Sequence, residues 1–310
     1  MARRWQTVVA QPDALGESPF WHSDEQMLYW VDIPGRQIHR CNVFMGTVQS
    51  WAMPSEPGCI APARTQGQAS GVVIALRDGI YRATQWGGPL QQLVPATHDI
   101  ATTRFNDGKA DPVGRFWAGT MFEPRDAASA QLFSLDARDG RAPELELKAG
   151  DATVANGLAW SPDTATVYWT DTTEHVIRAW DWDAASNQMQ RGRVFRQFAG
   201  KPAGWQPGMP GYGGRPDGAA VDSQGNYWVA MFEGGRVLKL SPDGEVLDDI
   251  ATPGLCPTMP CFGGDDLQTL YLTSARHGRP AAELQARPLS GCVVSLRVDV
   301  AGLPVNFFTD

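Results

Sequence analysis

Short apolar and aromatic runs recur along the whole chain, and polar turn signals separate them. Six of these runs are MLYWVDI (27–33), GVVIALRDGIYRA (71–83), GRFWAGTM (114–121), TVYWTDT (166–172), NYWVAMF (226–232) and TLYLTSA (269–275). Most are followed by a second apolar run, so the repeating pattern is strand, hairpin turn, strand and loop. The 33 Gly and 23 Pro residues are spread throughout, which disfavours long helices.

The central residues of the six runs are spaced 44, 43, 52, 59 and 44 residues apart, at Trp30, Ile74, Trp117, Trp169, Trp228 and Leu272. A period in the forties with four strands in each repeat is typical of propeller blades. The pattern therefore predicts an all-β fold, a six-bladed β-propeller with four-stranded blades around a central channel. We expect residues 1–310 to form this propeller as a single domain. The longest spacing contains a Gly/Pro-rich insertion at 199–216, which is either functional or a tolerated surface loop.

Composition and charge narrow the range of partners. The chain has 310 residues, of which 43% are hydrophobic, and a net charge of −8, so a basic surface for nucleic acid is not expected. No run approaches the roughly 20 apolar residues of a membrane helix, and the N-terminal apolar run is too short for a signal peptide. Five cysteines without a secretory signal indicate reduced thiols and a cytoplasmic protein. A propeller is self-contained, so we expect a monomer.

Four oxygen-bearing side chains share one register in the repeats. Each lies at the start of an apolar strand, five residues before a turn signal. These residues are Glu17, Asn106, Asn156 and Asp217, and the turns begin at His22, Asp111, Ser161 and Asp222. The innermost strand comes first in each blade of a propeller, so equivalent positions on these strands face one mouth of the channel. We therefore expect the four side chains to converge there.

Glu, Asn and Asp supply only oxygen, which suits a hard cation. Two converging carboxylates would repel each other without one. A second interpretation is structural, because the pairs Asn156-Gly157 and Asp217-Gly218 and the triplet at 106–108 are also strong hairpin-turn signals. Turns alone do not require the same offset in four repeats, so the shared register favours the cation site.

Several long motifs in the same order make the chain similar to the regucalcin/gluconolactonase family of sugar-lactone lactonases, which are six-bladed propellers. The motifs are LGESPFW (15–21), RFNDGKADPVGRFWAGTM (104–121), NGLAWSPD (156–163), RPDGAAVD (215–222) and FGGDDLQTLYLTSA (262–275). The resemblance covers most of the chain, and it diverges at 48–70 and 199–216.

The resemblance implies one divalent metal ion held by Glu17, Asn156 and Asp217. Ca²⁺ is expected first, with Zn²⁺, Mn²⁺, Mg²⁺ or Fe²⁺ as alternatives. It also implies that Arg104 and Asn106 contact substrate hydroxyls. Relatives have a substrate-binding Glu shortly after the GTM sequence, and Glu123 is the candidate for that role here.

The activity implied is hydrolysis of a gluconolactone-type aldonolactone to its aldonic acid in carbohydrate catabolism, which makes the protein a carboxylic ester hydrolase. Asp217 is the candidate for orienting or deprotonating the attacking water. The chain has no G-x-S-x-G nucleophile elbow, which disfavours a serine hydrolase. Two alternatives stay open. The first is a propeller esterase or phosphotriesterase acting on a less polar ester, which an aromatic rim with Trp205 and Tyr212 would favour. The second is a non-catalytic calcium-binding propeller.

Overall fold

A computed structural model describes residues 4–310. Within this range, 25 strands form six sheets, and each sheet contains four antiparallel strands of one blade. The prediction of a six-bladed, all-β propeller is confirmed. The six runs that predicted the period all contribute the second strand of a blade, because alternate apolar residues in this strand pack against both neighbouring blades.

The strands follow chain order outward from the channel in five of the six blades. Blade 1 contains β2 (Gly16–His22), β3 (Met27–Asp32), β4 (Gln37–Asn42) and β5 (Thr47–Ala52). Blade 2 contains β6 (Pro57–Thr65), β7 (Gln68–Leu76), β8 (Gly79–Ala83) and β9 (Gln91–Pro95). Blade 3 contains β10 (Thr103–Ala110), β11 (Phe116–Phe122), β12 (Ala130–Asp136) and β13 (Glu144–Ala152). Blade 4 contains β14 (Ala155–Trp160), β15 (Thr166–Asp171), β16 (Val176–Asp183) and β17 (Gln188–Gln197). Blade 5 contains β18 (Arg215–Val221), β19 (Tyr227–Phe232), β20 (Arg236–Leu240) and β21 (Val246–Ala251).

The sixth blade closes the ring with both ends of the chain. It contains β22 (Pro257–Gly263), β23 (Thr269–Ser274) and β24 (Val293–Arg297), and its outer strand is β1 (Gln6–Val9) from the N-terminus. The C-terminal strand β25 (Phe308–Thr309) pairs in parallel with β6 of blade 2. These two pairings join the chain ends to blades 6 and 2, so the ring is held by main-chain hydrogen bonds rather than by side-chain contacts alone.

Buried tryptophans fill the layers between blades. Trp117 and Trp228 occupy corresponding positions on second strands and are at most 1% exposed. The indole N–H of Trp117 donates to Asp111 at 2.9 Å, and that of Trp228 donates to Asp222 at 2.9 Å. In both cases the aspartate precedes the tryptophan by six residues, and the hydrogen bond between them attaches the turn at the aspartate to the core. Truncating such a tryptophan to alanine costs about 3–5 kcal/mol of stability.

Helix is scarce, as the sequence predicts. Residues 4–310 contain one short α-helix, α1 (Ala281–Ala286), and a single 3-10 turn at Arg138–Gly140. Neither is long or apolar enough to cross a bilayer. All five cysteines are buried and free.

Candidate active site and metal centre

The four oxygen donors lie on the innermost strands of four blades and line one cavity of ≈ 320 Å³. Each of these strands has a β-bulge at or beside the donor. The bulges fall between Glu17 and Phe20, Phe105 and Gly108, Asn156 and Ala159, and Pro216 and Ala219. A bulge adds a residue to one strand and redirects a side chain, which is why bulges are common at binding sites. The predicted convergence is confirmed by the shared cavity.

The alternative reading of these motifs as hairpin turns is wrong. Asn156-Gly157 lies inside β14 and Asp217-Gly218 inside β18. Gly157 has a φ of 60°, and a Cβ atom there would lie 2.3 Å from the hydroxyl of Tyr227. A Cβ atom on Gly218 would lie 2.5 Å from the Cβ of Met259. Glycine follows Asn156 and Asp217 because the bulged inner strand packs too closely against its neighbour for a side chain at these two positions.

A chain of hydrogen bonds links three blades at the cavity wall. Arg104 Nη1 donates to Asn106 Oδ1 at 2.8 Å, and Asn106 Nδ2 donates to Asn156 Oδ1 at 3.0 Å. Asn156 Nδ2 donates to Thr172 Oγ1 at 2.9 Å, and this hydroxyl donates to the carbonyl of Pro216 at 2.7 Å. The network fixes both amide orientations, because the oxygen and the nitrogen of each amide are hydrogen-bonded to the protein.

The two carboxylates of the site are buried and poorly compensated. Glu17 is 5% exposed and Asp217 is 6% exposed. Burial, reinforced by the charges of Asp217 and Asp107, raises the pKa of Glu17 well above its usual range. Burial also raises the pKa of Asp217 to about 8, against an opposing effect of Arg215. Within residues 4–310, neither carboxylate forms an ion pair, and the side-chain hydrogen bond of Glu17 comes from the N–H of Ser18 at 3.0 Å.

Asp107 and Lys109 belong to the same motif, and their contacts are structural. Asp107 Oδ2 accepts a hydrogen bond from the N–H of Leu158 at 3.0 Å, and Lys109 Nζ donates to the carbonyl of Ala219. Burial raises the pKa of Asp107 and lowers that of Lys109. Both side chains thus tie blade 3 to its neighbours behind the cavity wall.

Arg104 faces the cavity, whereas Glu123 lies outside the set of residues that line it. Burial lowers the pKa of Arg104 to about 10, while the charge of Glu123 opposes that shift. The carboxylate oxygens of Glu123 accept hydrogen bonds from Arg77 Nη1 and Nη2, both at 3.0 Å, and one lies 3.9 Å from Arg104 Nε. Glu123 therefore lies behind Arg104, on the side of the guanidinium away from the other candidate residues.

The donor set fits a hard divalent cation. Two buried carboxylates and one oriented amide oxygen line the same cavity. Burial, together with neighbouring negative charge, raises the carboxylate pKa values, and a cation would offset both effects. Residues 4–310 contain no cluster of three or more His, Cys, Asp or Glu side chains with metal-binding geometry. A hard, oxygen-liganded ion is compatible with that finding, because one of the three candidate ligands is an asparagine.

Four cationic or ionisable residues of the cavity were missed by the sequence analysis: Arg125, Arg215, His277 and Arg279. Arg215 precedes Asp217 by two residues on β18, just as Arg104 precedes Asn106 on β10. That shared offset was a signal for Arg215. Arg125, His277 and Arg279 come from loops and reach the cavity only through the tertiary fold.

A second cavity of ≈ 270 Å³ lies on the other side of the inner strands. Its walls include Phe20, Trp21, Trp160 and Pro304, and the C-terminal segment runs across it. The side chains of the five candidate residues on the inner strands do not line it. Its wall is mostly apolar, so the candidate residues are concentrated at the first cavity.

The chain is similar to several known proteins over most of its length. The family model described as "SMP-30/Gluconolactonase/LRE-like region" matches residues 15–276. The 6-deoxy-6-sulfogluconolactonase of Pseudomonas putida is 48% identical over 301 residues, covering 97% of each chain. Regucalcin of Danio rerio is 32% identical and also covers 97% of each chain. The crystal structure of a calcium-binding protein, regucalcin, from Agrobacterium tumefaciens superposes with a TM-score of 0.87 at 25% identity, covering 99% of this chain and 97% of that one.

Proposed function

The chain belongs to the SMP-30/gluconolactonase/LRE-like family, and from this premise we propose that it is a divalent-metal-dependent lactonase that hydrolyses an aldonolactone to its aldonic acid. The observation that carries the proposal is the convergence of Glu17, Asn156 and Asp217 in one cavity beside Arg104 and Asn106. Lactone hydrolysis needs a stabilised carbonyl oxygen, an oriented water and a bound sugar ring, and these residues can serve all three needs.

Glu17, Asn156 and Asp217 would hold the cation through oxygen. Ca²⁺ is the first candidate because it prefers oxygen ligands and because one similar structure is described as a calcium-binding protein. Zn²⁺, Mn²⁺, Mg²⁺ and Fe²⁺ are the alternatives. When bound, the cation supplies Lewis acidity at the lactone carbonyl and offsets the negative charge that develops there.

Asp217 is the proposed proton acceptor. Water attacks the carbonyl carbon, its proton passes to Asp217, and the bond between that carbon and the ring oxygen breaks. The proton then returns to the ring oxygen, so that lactone and water become one aldonic acid. Arg104 and Asn106 would hold ring hydroxyls in place, which lowers the entropic cost of the reaction.

Glu123 supports substrate binding in this proposal as a positioning residue. Its carboxylate lies 3.9 Å from Arg104 Nε and accepts two hydrogen bonds from Arg77. The Arg77–Glu123 pair can therefore hold the Arg104 guanidinium toward the cavity. A direct contact between Glu123 and a substrate hydroxyl stays a prediction.

One observation disfavours the esterase and phosphotriesterase alternative. The aromatic residues of the 199–216 insertion, Trp205 and Tyr212, do not line the cavity. Trp205 is 8% exposed and packs with Leu255, Cys256 and Ala275. Tyr212 donates to or accepts from His175 Nε2 at 2.7 Å. The rim that a less polar ester would need is thus occupied with internal packing. A purely calcium-binding role remains the second candidate, because it would use the same three ligands.

A pH-indicator assay on the native protein tests the proposal. The panel contains glucono-, galactono-, xylono- and arabinonolactone and 6-deoxy-6-sulfogluconolactone, the last because of the name of one relative. It also contains p-nitrophenyl acetate and a phosphotriester, with blanks for spontaneous hydrolysis. We expect at least one lactone to be turned over far above the blank and above both simple esters. Cation binding without hydrolysis of any lactone would favour the calcium-binding role, and preferred hydrolysis of the esters would favour the esterase.

A further inference from the structure

The outer wall of the cavity carries an excess of positive charge. Arg125, Arg215 and Arg279 line it together with His277. The whole chain has a net charge of −8, so this concentration of cations is opposite to the average of the molecule. The two acidic residues that line the same cavity are Glu17 and Asp217, which are assigned to the metal in the proposed function. A bound divalent cation would make the cavity more positive still.

The ion pairs around this wall do not neutralise it. Glu233 lies 3.0 Å from Arg279 Nη1, 2.9 Å from Lys201 Nζ and 3.4 Å from Arg215 Nη2. Arg279 also pairs with Glu283 at 2.7 Å. Lys201, Arg215 and Arg279 therefore share the two carboxylates of Glu233 and Glu283. Arg125 adds a fourth positive charge. The surplus charge falls on Arg215 and Arg125.

Arg125 and Arg215 both present donors that have no protein acceptor. The exposed side chain of Arg125 forms no hydrogen bond or ion pair with any residue in the range 4–310, so its donors are open to solvent or to a ligand. Arg215 Nε is buried and has no hydrogen-bond partner there either. Leaving a buried donor unpaired is costly, so such a group in a cavity wall indicates a missing acceptor.

The backbone holds Arg125 at the cavity in an unfavourable conformation. Its φ is 59°, in the left-handed region, within a turn closed by its N–H donating to the carbonyl of Phe122 at 3.2 Å. This tight turn sets the direction in which the side chain of Arg125 leaves the backbone, and that side chain lines the cavity.

The position of Arg215 sets the size of the ligand. It lies two residues before Asp217 on β18, so the two Cα atoms are roughly 6–7 Å apart along the strand. A ligand whose reacting carbonyl lies at Asp217 and whose far end lies at Arg215 has the length of one monosaccharide. The ≈ 320 Å³ of the cavity accommodates one such ring with a substituent.

We propose that Arg125 and Arg215 form an anion subsite, bordered by Arg279, which binds a tetrahedral oxyanion carried by the sugar lactone at the end remote from its ester. Guanidinium groups present paired N–H donors that match the oxygens of a sulfonate or a phosphate. This inference rests on the proposed lactonase function, and it narrows the substrate class to aldonolactones with an anionic exocyclic group.

A purely internal role for the two arginines makes a different prediction. Arg215 and Arg125 both favour the ionised form of Asp217. If that were their only role, replacing either arginine would lower kcat/KM for every lactone by the same factor. An anion subsite instead requires that the loss be larger for a charged lactone than for a neutral one.

Steady-state kinetics with three lactones separate these roles. The substrates are glucono-1,5-lactone, 6-deoxy-6-sulfogluconolactone and 6-phosphogluconolactone, and the last two distinguish a sulfonate from a phosphate. We expect kcat/KM of the wild-type protein to be at least about a hundredfold higher for one anionic lactone than for glucono-1,5-lactone. Arg125→Gln and Arg215→Gln should each reduce this ratio by about tenfold or more, mainly by raising KM for the anionic lactone. Arg191→Gln is the matched control, because Arg191 is exposed, has a φ of 50° and pairs with Asp181 outside the site.

Calorimetric titration with the aldonate products gives a second readout that needs no turnover. Gluconate and 6-deoxy-6-sulfogluconate are compared, and Arg215→Gln should weaken only the binding that the sulfonate adds. Equal losses for ligands with and without the sulfonate, or a wild-type preference for the neutral lactone, would overturn the anion subsite while leaving the lactonase intact. Failure to hydrolyse any lactone, with sulfonate-dependent binding retained, would instead remove the proposed function.

Discussion

Asn106 Nδ2 donates a 3.0 Å hydrogen bond to Asn156 Oδ1 across the boundary between blades 3 and 4. The first residue is the proposed substrate contact and the second is a proposed metal ligand. Arg104 anchors Asn106 from one side, and Thr172 anchors Asn156 from the other. The substrate-binding and cation-binding parts of the site are thus a single hydrogen-bonded unit.

This link predicts that the two asparagines act non-additively. Asn156→Ala should weaken cation affinity by about tenfold or more, because it removes a ligand oxygen, and Asn106→Ala should act chiefly by raising KM. In a double-mutant cycle on kcat/KM, we expect an interaction energy of about 1 kcal/mol or more between the two sites. Calorimetric titration with Ca²⁺ and steady-state kinetics measure the two quantities. Strict additivity, with unchanged cation affinity in Asn156→Ala, would place Asn156 outside the metal site.

The stability of the metal-free protein should depend on pH through Asp217. Its pKa is raised from 3.8 to about 8 on folding, so the folded state binds the proton more tightly than the unfolded state. At low pH this carboxyl is protonated and adds no buried charge to the folded state. As pH rises from about 4 to about 8, the folded state keeps a proton that the unfolded state loses, so the free energy of unfolding falls, and above about pH 8 it levels off. Chemical denaturation at several pH values in EDTA measures this fall.

Asp217→Asn should reduce that pH dependence and leave the part due to Glu17, whose pKa is also raised by burial. Saturating cation should suppress the dependence that arises from both carboxylates, because the cation replaces the proton. Asp139→Asn is a suitable control, since Asp139 is 82% exposed. A metal-free protein whose stability is constant or rises between pH 5 and pH 8 would contradict the assigned environment of Asp217.

Glu123 and Glu56 allow a matched test of the positioning role. Both carboxylates accept hydrogen bonds from Arg77, but only Glu123 approaches Arg104. If Glu123 acts by orienting Arg104, Glu123→Gln should raise KM by less than about tenfold, with kcat nearly retained, because an ion pair this exposed contributes little. Glu56→Gln should have a smaller effect. A loss in Glu123→Gln as large as that in Arg104→Gln would indicate direct contact with the substrate.

Local sequence patterns were sufficient to predict the blades and the convergence of Glu17, Asn106, Asn156 and Asp217. Both follow from periodicity, since equivalent positions on inner strands face the same channel mouth. The bulges were harder to see, because Asn156-Gly157 is equally typical of a hairpin turn. The positive φ of Gly157 and the close approach of Tyr227 and Thr170 explain the glycine in a strand.

The cationic wall could not be derived from sequence in the same way. Arg215 repeats the offset of Arg104 and was detectable. Arg125 and Arg279 follow different blades in loops of different length, and their approach to the cavity depends on the arrangement of blades 3 and 6 around the ring. Charge patterns of this kind become visible only when the tertiary fold is known.

Metal-dependent hydrolysis of a lactone is tested most directly by removing the cation and adding it back, in the wild type and in variants of Asp217. Dialysis against EDTA should reduce aldonolactone turnover by at least about a hundredfold, because the charge developing on the carbonyl oxygen loses its stabilisation. Titration with Ca²⁺, Zn²⁺, Mn²⁺ or Mg²⁺ should restore it at about one equivalent per chain. Asp217→Asn and Glu17→Gln should stay inactive with each ion, while Asp139→Asn behaves like the wild type. Full turnover in EDTA, or in Asp217→Asn without added cation, would contradict the account.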